Sequence, residues 1–382
     1  MAIEDNDPQR DQQEDKPARR ARKAPAAKAK GKEKGRTAET ETALGGPADS
    51  PAPTVTPFNL VIVAQGGRLK HEALLLAASL QRNAPQQAAR FCIAEPMPGH
   101  RWPEDPRIKD PAARALLEGM GARFIQFESH HFGANYPYGN KIECLRALPR
   151  GEPFLFLDTD TLILGAIDRI PFDFGRPSAS MRVEGTWPEP QPYFASYEAI
   201  WKSLYDRFDL DFEASLDRSW PAEYWRRYMY FNAGWFFGAC PHEFGRRFQD
   251  YALAIRNDPG EMLAAQSLDP WLDQVALPLV ISSLGGGRPG PELAGLDGDI
   301  TCHYRALPLL YAREDDRVLD LLESIAEDKE IRNHLREWDA ARKLIFQNKG
   351  RQKIRPLFDR EDLPVREAFI RNAIRREGWW LR

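Results

Sequence analysis

The stretch FLFLDTDTLILGAI, residues 154–167, places two aspartates between two apolar runs. The first run, FLFL, has the length and composition of a β-strand that is buried on both faces of a sheet. Asp158 and Asp160 follow it directly, and carboxylates are costly in such surroundings unless a cation pairs with them. The sequence therefore predicts a cation next to these two aspartates.

The segments around this stretch alternate between strand and helix patterns. Predicted strands cover residues 58–65, 90–96, 122–129 and 154–158, and predicted helices cover 68–83, 110–121 and 139–148. Further strand patterns cover 178–183, 230–239 and 299–307, and further helix patterns cover 241–256 and 269–284. Strands that alternate with helices predict an α/β fold with a mainly parallel sheet and helices on both faces.

The chain divides into three predicted parts. Residues 1–56 lack periodic apolar residues, and we expect them to form a disordered tail. This tail holds 11 Lys and Arg against 10 Asp and Glu, so its basic block over residues 16–36 favours a solvated linker over a nucleic-acid tether. Residues 57–310 are expected to form the α/β domain, and residues 311–382 a charged, helical C-terminal extension.

Composition narrows the class of protein. A formal net charge of -3 does not indicate a nucleic-acid binder. The four cysteines lie far apart without a CxxC pair, which suits a reducing compartment rather than a disulfide framework. No apolar run approaches the roughly 20 residues that cross a bilayer. We expect a cytoplasmic protein, with peripheral attachment to the inner face of the membrane as the alternative.

The spacing of the two aspartates indicates a shared ligand. Side chains alternate along an extended strand, so Asp158 and Asp160 are expected to face the same way. In doubly wound sheets, ligands bind beyond the carboxyl ends of the strands, which is where FLFLD ends. A divalent ion with oxygen ligands would relieve the repulsion between two neighbouring carboxylates. The alternatives are a helix cap, which the following TLIL does not favour, and pairing with arginines.

Four motifs occur in order between residues 58 and 310, namely LDTDT (157–161), FNAGWFFG (231–238), LDQVAL (272–277) and CHY (302–304). In this combination the sequence resembles the GT-A fold glycosyltransferases, particularly the family that includes glycogenin and bacterial galactosyltransferases of lipooligosaccharide synthesis. The resemblance implies a Rossmann-like, mixed and mainly parallel sheet flanked by helices.

The resemblance also implies a reaction. The enzyme would move a hexose from a nucleotide-diphosphate sugar, expected to be UDP-linked, to a carbohydrate or glycoconjugate acceptor. Transfer with retention of the anomeric configuration is implied, because relatives with these motifs retain. An inverting enzyme would instead need a carboxylate base, for which Glu184 is the candidate. The sequence leaves the donor sugar and the acceptor open.

A metal site belongs to this resemblance. Asp158, Asp160 and His303 would hold Mn²⁺, with Mg²⁺ as the alternative, and the ion would neutralise the charge that builds on the leaving diphosphate. Lys141 and Arg305 are the candidates for contacts with the phosphates or the donor sugar. HYRALPLLY stands where the family has a glycine and a lysine after the histidine, so the diphosphate contact departs from the family pattern.

The remaining roles are also implied by the resemblance. Asp273, Gln274 and Asn232 would be the catalytic residues, with Gln274 near the anomeric carbon and the other two holding sugar hydroxyls. The residues expected to bind substrate are Val63, Ala64, Gln65, Lys141, Asp158, Asn232, Gly234 and Arg305.

Two other interpretations remain at this point. FLFLDTDTL is also similar to the motif of haloacid dehalogenase-type phosphatases, in which Asp158 would be the nucleophile beside Mg²⁺. Two features disagree with that motif. Leu162 stands where the motif has Thr or Val. The motif belongs on the first strand of its domain, whereas three predicted strands precede it here. The second alternative is a non-catalytic scaffold with a transferase fold, against which the intact Asp158, Asp160 and His303 argue.

Overall fold

The computed structural model describes residues 56–183 and 186–381. The predicted tail, apart from its last residue, and Glu184 lie outside the described residues. The strands are β1 (Asn59–Val63), β2 (Phe91–Pro96), β3 (Arg123–Phe127), β4 (Phe154–Leu157), β5 (Thr161–Ile163), β6 (Ala179–Ser180), β7 (Asn232–Gly238) and β8 (Thr301–His303).

Helices connect and cover these strands. The α-helices are α1 (Arg68–Asn83), α2 (Pro85–Ala88), α3 (Pro111–Gly119), α4 (Asn140–Glu143), α5 (Tyr197–Arg207), α6 (Pro241–Asn257), α7 (Leu272–Ser283), α8 (Leu307–Arg313), α9 (Asp316–Ala326), α10 (Lys329–Leu335), α11 (Asp339–Ala341) and α12 (Glu367–Arg376). Short 3₁₀ turns include Pro137–Gly139, Cys144–Ala147 and Pro291–Asp297, and π-helical turns cover Arg342–Phe346 and Gly350–Ile354.

The central sheet has the strand order β3-β2-β1-β4-β7-β6. The first four strands in this order run parallel, whereas β7 runs antiparallel to β4 and β6 antiparallel to β7. Because β7 is reversed, it begins at the sheet edge where β1 and β4 end. The predicted mixed, mainly parallel sheet flanked by helices is confirmed.

A second, two-stranded sheet pairs β5 with β8. In its register Thr161 lies opposite His303, and the Tyr304 amide donates to the Asp160 carbonyl at 2.9 Å. This pairing brings the CHY motif beside the aspartate motif, although some 140 residues separate the two in the chain.

The central strands are buried on both faces, as the continuous apolar runs predict. Leu60 and Ile62 of β1 pack into one core with α1, whereas Val61 between them packs into a second core with α6 and α7. In β4, Leu155 packs into the first core and Phe156 into the second. The sheet is thus held between two apolar layers, which fixes the positions of its strand ends.

The C-terminal helices share the core of the sheet. Leu310 of α8, Leu319 of α9 and Ile374 of α12 are buried in the same apolar layer as Leu60. The predicted boundary after residue 310 falls inside α8, and the division into domains stays a prediction. Across the described ranges, no helix combines the length and the apolar character that a membrane span requires.

Three predicted elements differ most from the sequence patterns. The strand pattern over residues 178–183 yields only β6, because the backbone amide of Arg182 donates to the Ser180 hydroxyl at 3.1 Å. The helix pattern over 139–148 becomes α4 followed by a 3₁₀ turn, which ends at Ala147 because Pro149 disfavours a helical conformation at Leu148. The strand pattern over 299–307 is wrong in its last part, where Pro308 supports the first turn of α8.

A close approach of two backbones at Gly286 offers a test of this packing. A Cβ at Gly286 would lie 2.0 Å from the Pro177 carbonyl oxygen, whereas a Cβ at Gly287 would meet nothing within 4 Å. We expect Gly286→Ala to lower the free energy of unfolding by about 1–3 kcal/mol because the loop must shift. Gly287→Ala is the matched control and should stay within about 0.5 kcal/mol of wild type in urea unfolding. Equal stability of the two variants would contradict the prediction.

Candidate active site

The three residues predicted as metal ligands come together at one edge of the central sheet. Asp158 follows β4, Asp160 precedes β5, and His303 is the last residue of β8. His303 Nε2 lies 3.1 Å from Asp160 Oδ1 and 3.8 Å from Asp158 Oδ2. One ligand atom of each residue lies within 4.8 Å of the other two. All three are half-buried, so a cation between them would keep an accessible side for a ligand.

Gly234 of β7 makes room for the imidazole of this cluster. A Cβ at this position would lie 2.2 Å from His303 Nδ1 and 2.6 Å from its Cε1, so only glycine fits without moving the ring. The Gly234 carbonyl also accepts a hydrogen bond from the Asp158 amide at 2.9 Å. Gly234, predicted to bind substrate, thus lies against one member of the cluster and is bonded to another.

The charge state of Asp160 suits a metal ligand. Burial raises the pKa of this carboxyl, but the charge of His303, the hydrogen bond between the two and the charge of Arg68 hold the pKa below its ordinary range. Asp160 is therefore ionised at neutral pH, and metal ligands must be deprotonated.

Lys141 of α4 is buried between two acidic side chains. Its Nζ lies 3.0 Å from Asp158 Oδ1 and 3.3 Å from Asp273 Oδ2, and it donates to the Ala233 carbonyl at 3.3 Å. Burial lowers the pKa of Lys141, but the charges of Asp158 and Asp273 outweigh it and keep the pKa above the ordinary value. Lys141 therefore stays charged and links the aspartate motif to α7.

Asp273 is fixed in one orientation at the start of α7. Its Oδ1 accepts a hydrogen bond from the Tyr136 hydroxyl at 2.8 Å, and its backbone amide donates to the oxygen of the Tyr136 hydroxyl at 3.0 Å. Burial raises the pKa of Asp273, and the charge of Lys141 opposes that rise. The next residue, Gln274, accepts a hydrogen bond through Oε1 from the Tyr230 hydroxyl at 2.9 Å.

The other predicted site residues lie on the neighbouring strand ends. Asn232 begins β7, and its side-chain oxygen accepts from the Gly234 amide at 2.7 Å, which closes a local turn. At the end of β1, Val63 is half-buried and Ala64 is buried. Gln65 follows them, and its buried Nε2 has no hydrogen-bond partner among the described residues.

Arg305 follows His303 by two residues and faces the C-terminal helices. Its Nη1 lies 3.3 Å from Glu367 Oε2 of α12, and its Nη2 donates to the Arg182 carbonyl at 3.1 Å. No local sequence pattern indicates this pairing, since 62 residues separate Arg305 from Glu367.

Sequence reasoning also missed the pair of Arg68 and Glu72 in α1. Arg68 Nη1 lies 2.6 Å from Glu72 Oε1, and the Glu72 side chain is fully buried. Burial raises the pKa of Glu72 to about 8, opposed by the charge of Arg68. Both residues act electrostatically on Asp160. The i, i+4 spacing after Gly66-Gly67 was the available signal, but such pairs usually lie on a solvated helix face.

The mixed sheet, with a reversed strand beside β4 and the aspartate motif at its edge, agrees with the fold that the resemblance to GT-A glycosyltransferases implies. Residues 60–285 match the family described as the Rhodobacterales glycosyltransferase domain, which is more than half of the chain. The protein therefore belongs to this family and is a glycosyltransferase. The predicted class of enzyme is confirmed. A comparison with curated proteins gave no match.

Solved structures of low sequence identity resemble the chain. The galactosyltransferase LgtC, in a complex with donor and acceptor sugar analogs, is 15% identical with a TM-score of 0.43, covering 72% of this chain and 99% of that one. The bifunctional glycosyltransferase WbbM in its apo form is 13% identical with a TM-score of 0.41, and the match covers 74% of this chain and 52% of that one. Apo GlyE of Streptococcus pneumoniae TIGR4 is 13% identical with a TM-score of 0.35, covering 61% and 45%.

The buried Lys141 allows a test of the charge balance in this site. Lys141→Met would leave Asp158 and Asp273 without their cation, and we expect the free energy of unfolding to fall by about 3–5 kcal/mol. Lys202→Met is the matched control, because Lys202 forms an exposed pair with Asp206. That pair contributes at most about 0.5 kcal/mol. Urea unfolding of both variants makes the comparison, and a Lys141→Met protein as stable as Lys202→Met would contradict it.

Proposed function

We propose that this glycosyltransferase transfers a hexose from a nucleotide-diphosphate sugar, UDP-linked, to a carbohydrate or glycoconjugate acceptor with the help of a divalent metal. The observation that carries the proposal is the cluster of Asp158, Asp160 and His303, whose ligand atoms lie within 4.8 Å of one another. It stands at the edge of the sheet where the parallel strands end, which is where ligands of such sheets bind.

The donor set fits the proposed ion. Two carboxylates and an imidazole suit manganese, with magnesium as the alternative. Bound there, the ion would act as a Lewis acid toward the diphosphate leaving group. Because Gly234 has no side chain, the His303 imidazole fits beside it. The pairing of β5 with β8 sets the distance between His303 and Asp160. The protein thus holds the three ligands through backbone contacts rather than through flexible side chains alone.

The other predicted residues have roles that their surroundings support. Lys141 keeps a positive charge next to Asp158 and is proposed to attract the donor phosphates. Asp273, held by Tyr136, and Asn232 are proposed to bind sugar hydroxyls. Gln274 is proposed to lie near the anomeric carbon. Val63, Ala64 and Gln65 are proposed to seat the nucleoside, and the unpartnered Gln65 amide supports this role.

Retention of the anomeric configuration is part of the proposal. It rests on the resemblance of the motifs to those of retaining relatives. Glu184, the candidate base of an inverting reaction, lies outside the described residues.

The family match argues against the phosphatase interpretation with Asp158 as nucleophile and against a non-catalytic scaffold. The cytoplasmic location stays a prediction from the sequence.

A thermal-shift screen with nucleotide sugars, with and without Mn²⁺, tests this function. Ligands that bind the native state raise the melting temperature, so we expect one donor to give a shift that depends on the metal. Asp160→Ala should lose this shift and the transferase activity while keeping its fold by circular dichroism. Asp299→Ala, at an exposed position, is the control. A metal-dependent shift that survives in Asp160→Ala would sink the metal assignment.

Gly234→Ala provides a second test that leaves all three ligands in place. Its Cβ would push the His303 ring out of position, so we expect Mn²⁺ affinity to fall by about tenfold or more, which corresponds to loss of one ligand contact. Gly165→Ala is the matched control, since a Cβ there would meet its nearest atoms at an ordinary 3.6 Å. Isothermal titration with Mn²⁺ measures both, and unchanged affinity in Gly234→Ala would show that His303 is no ligand.

A further inference from the structure

Glu367, the first residue of α12, is a buried carboxylate among half-buried arginines. Only 3% of its side chain is exposed, and Oε2 accepts from Arg305 at 3.3 Å and from Arg313 at 2.5 Å. Its Oε1 accepts from Arg371 at 2.6 Å. Arg182 joins the same region through Glu314 at 3.0 Å. A carboxylate buried this deeply keeps its charge because the guanidinium groups surround it.

One of these arginines belongs to the chain segment that carries a proposed metal ligand. Arg305 follows His303 by two residues. Its backbone φ of 63° lies in the left-handed region that residues other than glycine rarely adopt. Such a conformation persists only where the surroundings hold it. A hydrogen bond from the Ala306 amide to the Tyr304 carbonyl at 2.7 Å spans Arg305, and its side chain contacts Glu367 and the Arg182 carbonyl.

The position of Arg305 also connects to the proposed reaction centre. Burial and the charge of Asp273 raise the pKa of Tyr230, and the charge of Arg305 opposes this rise. Arg305 and Asp273 therefore both lie within electrostatic reach of Tyr230. The hydroxyl of Tyr230 in turn donates to Gln274. Arg305 thus follows the proposed ligand His303 by two residues and contacts α12 through the Glu367 carboxylate.

We propose that Glu367 is a positioning residue for the donor: through Arg305 it holds the segment after His303 so that the guanidinium can bind the nucleoside diphosphate. This inference rests on the proposed function. It assigns to α12, which lies beyond the residues that match the family, a part in donor binding. Arginine suits this task because its planar group binds phosphate oxygens through two parallel hydrogen bonds.

The full-length chain with Glu367→Gln tests the inference, with Mn²⁺ present and with UDP and GDP as probes. We expect the nucleotide to bind about tenfold more weakly, the loss of roughly one charge-assisted hydrogen bond. Glu323→Gln is the matched control, because Glu323 also accepts from an arginine, Arg351, and from Tyr311, but does not contact Arg305. That control should bind nucleotide as wild type does even where its melting temperature falls.

A double-mutant cycle separates positioning from a general loss of structure. In an Arg305→Gln background, Glu367→Gln should weaken nucleotide binding no further, because its effect passes through Arg305. An equal additional loss in that background would overturn the inference. If Glu367→Gln does not fold, Glu367→Asp takes its place, since it keeps the charge but withdraws it from Arg305, and it should also bind nucleotide more weakly.

The outcomes distinguish the two proposals. If the wild-type protein binds neither UDP nor GDP with Mn²⁺, the proposed function fails and the inference fails with it. If wild type binds a nucleotide and a folded Glu367 variant binds it within twofold of that affinity, the inference alone is overturned.

Discussion

Mutual repulsion among carboxylates is the constraint that organises this structure. Asp158, Asp160 and Asp273 are all at least half-buried in one region, where neighbouring carboxylates repel one another unless a positive charge lies among them. Lys141 lies between two of them, and His303 lies against the other end of the group. Lys141 and His303 each reach their places through contacts that are distant in sequence, so the folded chain as a whole sets the charges around these carboxylates.

The antiparallel direction of β7 makes this arrangement possible. A parallel strand in its place would begin at the opposite edge of the sheet, far from the end of β4. Because it is antiparallel, its first residues, Asn232 to Gly234, meet the aspartate motif directly. The small sheet of β5 and β8 then adds the imidazole from the other side.

Local sequence patterns predicted most elements and the pair of aspartates, and the resemblance to GT-A glycosyltransferases predicted His303 beside them, but neither predicted the contacts that orient these side chains. Helix α1 has the predicted bounds, because its periodicity is clear and Gly66-Gly67 precedes it. The burial of Lys141, the hydroxyl of Tyr136 on Asp273 and the pairing of Arg305 with Glu367 depend on residues that are distant in sequence. No local pattern of charge or hydropathy encodes such pairings, so only the folded structure reveals them.

The family match ends at residue 285, whereas His303 lies 18 residues beyond it. Asp158 and Asp160 thus lie inside the residues that match the family, and His303 lies outside them. A shortened chain that stops where the match stops would keep an acidic pocket and lose both the imidazole and the helices that complete one face of the core. A shortened version of this enzyme must therefore keep the residues that pack against the sheet and complete the cluster, and not only the residues that match the family.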